Sequence, residues 1–426
     1  MNYSETIDYL FSMLPMYQRV GPVAFKKDLT NTLRLCEHLE NPHQKVKTIH
    51  IAGTNGKGSV AHMLAGILQT SGLKVGLYTS PHLKDFRERI KINGEMISSD
   101  EVINFVEDNK TAFETIEPSF FEMTVCMAFD HFYKNQTDIS IIETGLGGRF
   151  DSTNVIVPEI SIITNIGLDH TQFLGETKEE IAFEKAGIIK EGVPVVIGES
   201  NSQTDQVFEK ISQKRDATIY FADKNFSVKN VQIEDAEITL DLYKLGKPYL
   251  DKAILGICGK YQVNNFVTTI QSIELLKQFN ITEDHIRQGA NNFSNNTGFQ
   301  GRWQKISDTP LTICDTGHNH DGLSEVLDQI NSMPYKKLHF VYGTVNDKDI
   351  DSALNLLPKD ASYYFCKAKI PRALDASILK NKAAEIGLVG SSFSTVDEAY
   401  KTAKENASKD DLVFVGGSTF VVAEVL

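Results

Sequence analysis

The sequence predicts an α/β fold, with one large, mostly parallel sheet followed by a second, smaller α/β domain. Three observations predict it. Residues 48–68 read as a buried strand, a glycine-rich turn and a helix. Short apolar strands then recur with helical patterns between them. A polar run, NNFSNNTGFQGR at 291–302, separates this series from four further strands.

Composition bounds the reading. A chain of 426 residues is long enough for two or three domains with real cores. The net charge of −13 argues against a nucleic-acid binder, which would carry a basic field. No stretch of about 18 apolar residues spans a bilayer. The five cysteines (Cys36, Cys126, Cys258, Cys314, Cys366) form no CxxC, which predicts reduced thiols in a cytoplasmic protein. Glu5 and Asp8 stand where a signal peptide would turn from basic to apolar, so none is expected.

Residues 1–45 read as mainly helical, with breaks at Gly21-Pro22 and Asn41-Pro42. Val20 and Phe25 suit packing, and Arg19 suits a substrate contact. The next stretch, IHIAGTNGKGSVAHML at 49–64, organises the chain. Its strand, with Thr48 just before it, ends at Ala52. The helix carries an apolar stripe, Val60, Met63, Leu64, Ile67 and Leu68. Between them Gly53, Thr54, Asn55, Gly56, Lys57, Gly58 and Ser59 make a phosphate cradle. Backbone N–H groups converge on the anion, the helix N-terminus adds partial positive charge, and Lys57 adds a full one. Ser59 suits a magnesium ion. The spacing departs from GxxxxGK[ST]: Ile51 replaces the first glycine, and Gly58 parts Lys57 from the hydroxyl. This predicts a nucleotide-binding loop of a variant kind.

Gly72 stops the helix, and Lys74–Tyr78 forms a second strand that completes a βαβ unit. Ser80 follows that strand, where ligand groups collect in open sheets. Lys84, Arg87, Arg89 and Lys91 then make a basic loop suited to a substrate. Helices follow at 100–116 and 119–134. The strand Asp138–Ile142 ends in Glu143, placed as a magnesium ligand beside a phosphate loop, and runs into TGLGGRFDSTN. Ile160–Ile166 ends in Gly167, Leu168, Asp169 and His170, the last suited to a metal or a phosphate.

A capping box of Thr177 and Glu180 opens a helix predicted over Thr177–Lys190. Ile181, Lys185, Ile188 and Ile189 share one face of it. A lysine in an apolar stripe must snorkel, pair or lose its proton. Val193–Ile197 closes this segment, and 225–242 reads as a peripheral antiparallel patch. GKYQVNN then starts a helix with Tyr261, Gln262, Asn264 and Asn265, residues that suit adenine or ribose contacts as well as capping. Beyond the polar run, strands are predicted at Leu311–Cys314, Leu338–Tyr342, Tyr363–Cys366 and Leu412–Val415. The loops at Asp315–Asn319, Gly343–Asp349 and Gly416–Ser418 are expected on one sheet edge, facing a cleft with the first domain.

Eight segments carry a resemblance: HIAGTNGKGS (50–59), YTSPHL with RI and ING (78–94), ETGLGGRFDSTN (143–154), IGLDHTQFLG (166–175), IAFEKAGIIK (181–190), GKYQVNN (259–265), GRW (301–303) and DTGHN (315–319). Together they resemble the folylpolyglutamate synthase and dihydrofolate synthase family, within the Mur-type ATP-dependent amide ligases. The resemblance implies a P-loop-type ATP-binding domain with the pterin site over 1–295. A Rossmann-like, glutamate-binding domain over 296–426 closes over ATP. ATP phosphorylates a carboxylate, and the amino group of L-glutamate attacks the acyl phosphate. Lys57, Lys185, His170 and Glu143 are the implied catalytic residues. Asn265, Arg302 and Asp315 join the loop in binding ATP.

Two magnesium ions are implied, one on Ser80 and Glu143, the other on His170 and a carbamylated Lys185; a monovalent cation is a further allowed cofactor. Substrate contacts are expected at Arg87, Phe121, Glu122, Asp151, Ser152, His318 and Ser418. The implied substrates are a reduced folate, dihydropteroate or both, with no membrane partner and a monomeric chain. Departures are Gln304 for a common acidic residue, DTGHN for DGAHN, and Tyr261 for a frequent histidine. Rival readings are a monofunctional folylpolyglutamate synthase, a murein-precursor ligase with an extra N-terminal domain, and a regulatory nucleotide-binding protein whose turnover ignores glutamate.

Overall fold

The computed structural model describes residues 1–13, 28–234, 237–346 and 350–426. Arg19, Val20, Gly21-Pro22 and Phe25 lie outside the described residues, as does the end of the Gly343–Asp349 loop. The chain divides into two compact units. One comprises Met1–Gln232, Ile238–Gly256 and Gln262–Phe299, the other Ile233–Glu237, Ile257–Tyr261 and Gln300–Leu426.

The first unit is built on an eight-stranded sheet: β1 (Thr48–Ala52), β2 (Val75–Tyr78), β3 (Ile90–Ile92), β4 (Glu95–Met96), β5 (Ile139–Glu143), β6 (Ile160–Ile163), β7 (Val195–Ile197) and β8 (Ile219–Phe221). The order is β4-β3-β2-β5-β1-β6-β7-β8, and all pairs are parallel except those made by β3 and β4. β1 lies between β5 and β6 and is buried at every residue, which suits its mostly apolar and β-branched sequence; His50 is the exception, bonded to the Thr153 hydroxyl. Register aligns Ile51 with Glu143 on one side and Ile162 on the other. The loops after β1, β5 and β6 therefore leave the same edge at the same level. A peripheral three-stranded sheet follows, with β9 (Phe226–Glu234), β10 (Glu237–Lys244) and β11 (Lys247–Leu255).

Three predicted elements differ from the observed ones. The helix Lys57–Thr70 is buried all round from Ser59 to Leu68, not on one stripe. Glycines allow it: a Cβ on Gly66 would lie 2.7 Å from Phe293 Cα, and one on Gly289 would lie 2.8 Å from Ile67 N. The helix Glu283–Thr297 thus crosses it at backbone contact, so the polar run from 291 is helical up to Thr297. The strand from Ile160 stops at Ile163, because Thr164 turns its hydroxyl to Asn55 O at 2.5 Å. The helix predicted to reach Lys190 ends at Lys185, followed by a 3₁₀ turn Ala186–Ile188 and an extended Ile189. There Gly187 lies against the backbone of Arg149, with room for no Cβ.

The second unit holds β12 (Gln304–Asp308), β13 (Leu311–Cys314), β14 (Leu338–Tyr342), β15 (Ser362–Phe365), β16 (Gly390–Ser392) and β17 (Leu412–Gly416), ordered β12-β13-β17-β14-β15-β16. Only the edge strand β12 runs antiparallel. Pairing of Cys314 with Val415 and of Tyr342 with Gly416 brings the ends of β13, β17 and β14 to one edge, as expected. β12 and β16, which the sequence reading missed, are short and half-exposed, so they carry little apolar pattern. Among the described residues no helix is long and apolar enough to cross a membrane.

The helix crossing sets two effects in opposition at Gly66. Alanine gains about 1 kcal/mol of helix propensity, whereas overpacking costs roughly 1–3 kcal/mol. With Phe293 backbone as the obstacle, Gly66→Ala is expected to lower stability in urea denaturation. A higher midpoint would contradict the close crossing.

Candidate functional site

The site grows from the turn after β1. Gly53 has φ +150°, and a Cβ there would overlap the Thr164 hydroxyl. Gly56 has φ +83° and caps the helix Lys57–Thr70; its missing Cβ leaves room for the Asn265 amide. Asn265, buried at the start of the helix Gln262–Ile273, is steadied by donating to Gln262 Oε1 at 2.9 Å.

The turn is clamped from β6. Thr54 N–H donates to Asn165 O at 3.0 Å, and Asn55 N–H to Asn165 Oδ1 at 2.9 Å. Thr54 Oγ1 both accepts from Gly167 N–H (2.9 Å) and donates to Gly167 O (3.1 Å). Thr164 and Asn165, which sequence reasoning missed, are therefore the residues that shape this loop. A Thr-Asn pair just past a strand was the available signal, but it reads like any turn.

Two lysines meet at one oxygen. Lys57 Nζ donates to Gly53 O at 2.9 Å and to Thr54 O at 3.2 Å, and Lys185 Nζ donates to the same Gly53 O at 2.7 Å. Lys185 is buried, so the snorkelling alternative does not apply. Burial first, and the Lys57 ammonium second, push its pKa down to about 7, with Asp169 and Asp151 opposing. Burial thus favours the neutral amine far more than for an exposed lysine. The helix end carrying Lys185 is fastened by the GLGGR loop: Arg149 N–H donates to Glu184 O at 2.8 Å, and a Cβ on Gly148 would lie 2.7 Å from Lys185 O.

Glu143 is buried at the end of β5 and accepts the Ser80 N–H at 3.0 Å. Its Oε1 lies 3.9 Å from where a Gly58 Cβ would be, so the carboxylate faces the phosphate loop. His170 sits in a left-handed conformation, φ +50°, with its N–H on Asp169 Oδ1 at 2.9 Å. Among the described residues no three His, Cys, Asp or Glu side chains form a metal cage. Magnesium rarely uses one; it takes one or two carboxylates plus phosphate oxygens and water. Glu143 beside Ser80 at the lip of a phosphate loop fits that donor set.

Other predicted substrate residues have local duties. Asp151 accepts Gly145 and Leu146 N–H at 2.8 Å on Oδ2, and Thr153 N–H at 3.0 Å plus the Thr153 hydroxyl on Oδ1. Burial pushes its pKa up, and these bonds pull it back. Ser152 lies in the 3₁₀ turn that Asp151 caps. Glu122 caps its own helix through Ser119 N–H at 2.6 Å. Arg87 is paired with Asp85 at 2.7 Å and donates to Ser99 at 3.1 Å. Phe121 packs its ring on Gly145, at the edge of the GLGG loop.

In the second unit Asp315 follows β13 and is buried, accepting the Trp303 and Gly317 N–H groups, each at 2.7 Å. Trp303 takes φ +40°, a strained value that its bond to Asp315 helps to hold. Gln304, the departure from an acidic residue, accepts Gly301 N–H at 2.8 Å and shapes the same turn. Arg302 lies within it, Nη1 donating to Gly301 O at 3.2 Å. His318 Nδ1 contacts Thr316 O at 3.0 Å, and Ser418 caps a short helix through Phe420 N–H at 3.2 Å.

Two expectations follow. Asn165→Ala strips the acceptor from Asn55 N–H, a loss of roughly 1–3 kcal/mol, and should raise the KM for nucleotide about tenfold; an unchanged KM would remove the clamp from the argument. Lys185 loses its proton in the folded state near pH 7 but in the unfolded chain only near 10.5. Its destabilising charge is therefore fully present below pH 7 and fades as the pH rises toward 10.5. Urea titrations should show Lys185→Met more stable than wild type at pH 6, with the gap narrowing by pH 9.

Comparison with known proteins accords with this geometry. Residues 51–273 match the family model described as Mur ligase middle domain, and residues 301–419 match Mur ligase, glutamate ligase domain. A dihydrofolate synthase/folylpolyglutamate synthase of Bacillus subtilis is 30% identical over 418 residues, covering 94% of each chain. A probable bifunctional folylpolyglutamate synthase/dihydropteroate synthase of Haloferax volcanii is 31% identical; the match takes in all of this chain, which spans 50% of that relative's length. The structure of Escherichia coli FolC in complex with DHPP and ADP superposes with a TM-score of 0.87 at 27% identity, over 100% of this chain and 97% of that one. A bifunctional folylpolyglutamate synthase/dihydrofolate synthase with Mn, AMPPNP and L-glutamate bound gives 0.85 at 28%, over 100% and 97%. The chain belongs to the folylpolyglutamate synthase/dihydrofolate synthase family of Mur ligases.

Proposed function

We propose that this protein is an ATP-dependent ligase that joins L-glutamate to a reduced folate and to dihydropteroate, through an acyl phosphate. The observation that carries the reading is the meeting of Lys57 and Lys185 at the Gly53 carbonyl, with Glu143 facing the same loop. A folate carboxylate oxygen attacks the γ-phosphorus of ATP, forming the acyl phosphate and releasing ADP. The glutamate nitrogen then adds to the acyl carbon, loses a proton, and the tetrahedral intermediate expels phosphate. Positioning and charge stabilisation supply nearly all the catalysis of such a transfer.

Each residue has a task in that sequence. Lys57 and the loop amides hold the phosphates, Lys57 exchanging the Gly53 and Thr54 carbonyls for anionic oxygens. Asn265, Arg302 and Asp315 bind the nucleotide. Ser80 and Glu143 would hold one magnesium ion, and His170 with Lys185 a second. Held there, magnesium would supply positive charge opposite the transferring phosphoryl group. Lys185 gains a carboxylate for this by adding carbon dioxide: the neutral nitrogen bonds to carbon and a proton leaves. Its lowered pKa makes the neutral form available. Phe121 and the turn after Ser80 are the proposed pterin contacts, with Arg87 paired to Asp85 and Arg89 and Lys91 buried rather than forming an open basic loop, and His318 and Ser418 are the proposed glutamate contacts. The five cysteines are free thiols, in keeping with the proposed reducing cytoplasm, and a monomer is proposed with it.

Phosphate release with ATP and magnesium should require L-glutamate together with either dihydropteroate or tetrahydrofolate. Release with tetrahydrofolate alone would make the enzyme monofunctional, and release indifferent to glutamate would refute the ligase. Lys57→Ala should cost on the order of 10³-fold in kcat. Lys185→Ala should be nearly inactive and regain part of its activity with added formate or acetate; full activity without them would exclude the carbamate.

A further inference from the structure

The buried carboxylate of Asp315 has a third hydrogen-bond donor. Besides the backbone N–H groups of Trp303 on Oδ2 and Gly317 on Oδ1, the Tyr261 hydroxyl donates to Oδ2. A carboxylate offers about four acceptor positions. Two donors occupy Oδ2 and one occupies Oδ1, so the remaining position lies on Oδ1 and points in one fixed direction. The two backbone donors, one on each oxygen, set the carboxylate plane, and the phenol adds a third point of attachment on Oδ2.

The Tyr261 ring is itself held in place. A Cβ on Gly259, where φ is +113°, would come within 3.1 Å of the ring Cζ and 3.3 Å of Trp303 Cβ. Gly259 therefore allows the ring and the Trp303 backbone to close on Asp315 from two sides. Burial and the Asp315 charge push the phenol pKa far up, so the hydroxyl stays a donor across the working pH range.

We infer that Tyr261 is a positioning residue for the nucleotide, acting through Asp315 by aiming the remaining Oδ1 acceptor at a donor group of ATP. The inference rests on the proposed contact between Asp315 and ATP. It differs from a packing role in one respect: the hydroxyl matters, and the ring matters less.

The test is steady-state kinetics of the full chain with ATP varied at saturating glutamate and folate, for Tyr261→Phe, Tyr261→His, Asp315→Asn and the Phe/Asn double variant, with melting temperatures recorded. Tyr261→Phe should raise the KM for ATP about tenfold, leave kcat within about threefold and leave the KM for glutamate unchanged. Tyr261→His, which keeps an N–H donor but loses ring area, should lie closer to wild type than Tyr261→Phe. The double variant should be no worse than Asp315→Asn alone. The opposite ranking of Phe and His, or additive effects in the double variant, would overturn the inference. So would a normal KM for Tyr261→Phe where Asp315→Asn raises it. An Asp315→Asn variant with an unchanged KM for ATP would instead refute the contact beneath it, and the inference with it.

Discussion

The loop after β1 is organised around one backbone carbonyl, that of Gly53. Two lysine nitrogens share it, which a pair of full charges in a buried place tolerates poorly. The conflict is resolved by asymmetry. Lys57, at the mouth of the loop, also reaches Thr54 O, whereas Lys185 is buried and yields its proton readily. The turn that aims Gly53 O at both nitrogens thus holds two unlike lysines side by side, one half-buried and one buried.

That turn is held by the sheet order. Because β1 lies between β5 and β6, the loops after all three strands leave one edge side by side. β6 returns Thr164 and Asn165 against the phosphate loop, and β5 returns Glu143. Glycines let these loops approach closely. Gly53 makes room for the Thr164 hydroxyl, Gly56 for the Asn265 amide, and Gly148 for the last carbonyls of the helix that bears Lys185. The glycine-rich motifs are thus contact surfaces between loops as much as flexible turns.

How far the sequence discloses this differs from element to element. β1, its loop and the start of the next helix are legible because strand, glycines and lysine are adjacent in the chain. The bounds of Leu311–Cys314 and Leu338–Tyr342 are legible because short, mostly apolar runs end there in polar turns. The burial of the helix Lys57–Thr70 on all sides is hidden: its stripe of large residues marks one face, while Gly66 is where a second helix comes to backbone contact. Asn165 is hidden for another reason. Its partners Thr54 and Asn55 lie more than a hundred positions away, and no local pattern announces such a bond. The family motifs located Lys185 and Glu143, yet the shared carbonyl that ties Lys185 to Lys57 appears only in three dimensions.

Acceptor counting separates two aspartates that look alike in sequence, each standing in a polar turn after a strand. Asp151 receives four hydrogen bonds, from Gly145, Leu146 and twice from Thr153, which fill its acceptor positions. His50 Nε2 contacts the same Thr153 hydroxyl at 2.8 Å, extending the network into the core under β1. Such a carboxylate builds a loop and has little left for a ligand. Asp315 receives three and keeps one position on a known oxygen. The strained Trp303 beside it is hard to explain as loop construction alone, since a relaxed turn would serve that purpose at lower energy. Strain that fixes a carboxylate with one acceptor position to spare is what a ligand-binding aspartate requires. Asp151 thus has its acceptor positions filled by its own loop, whereas Asp315 keeps one of them open.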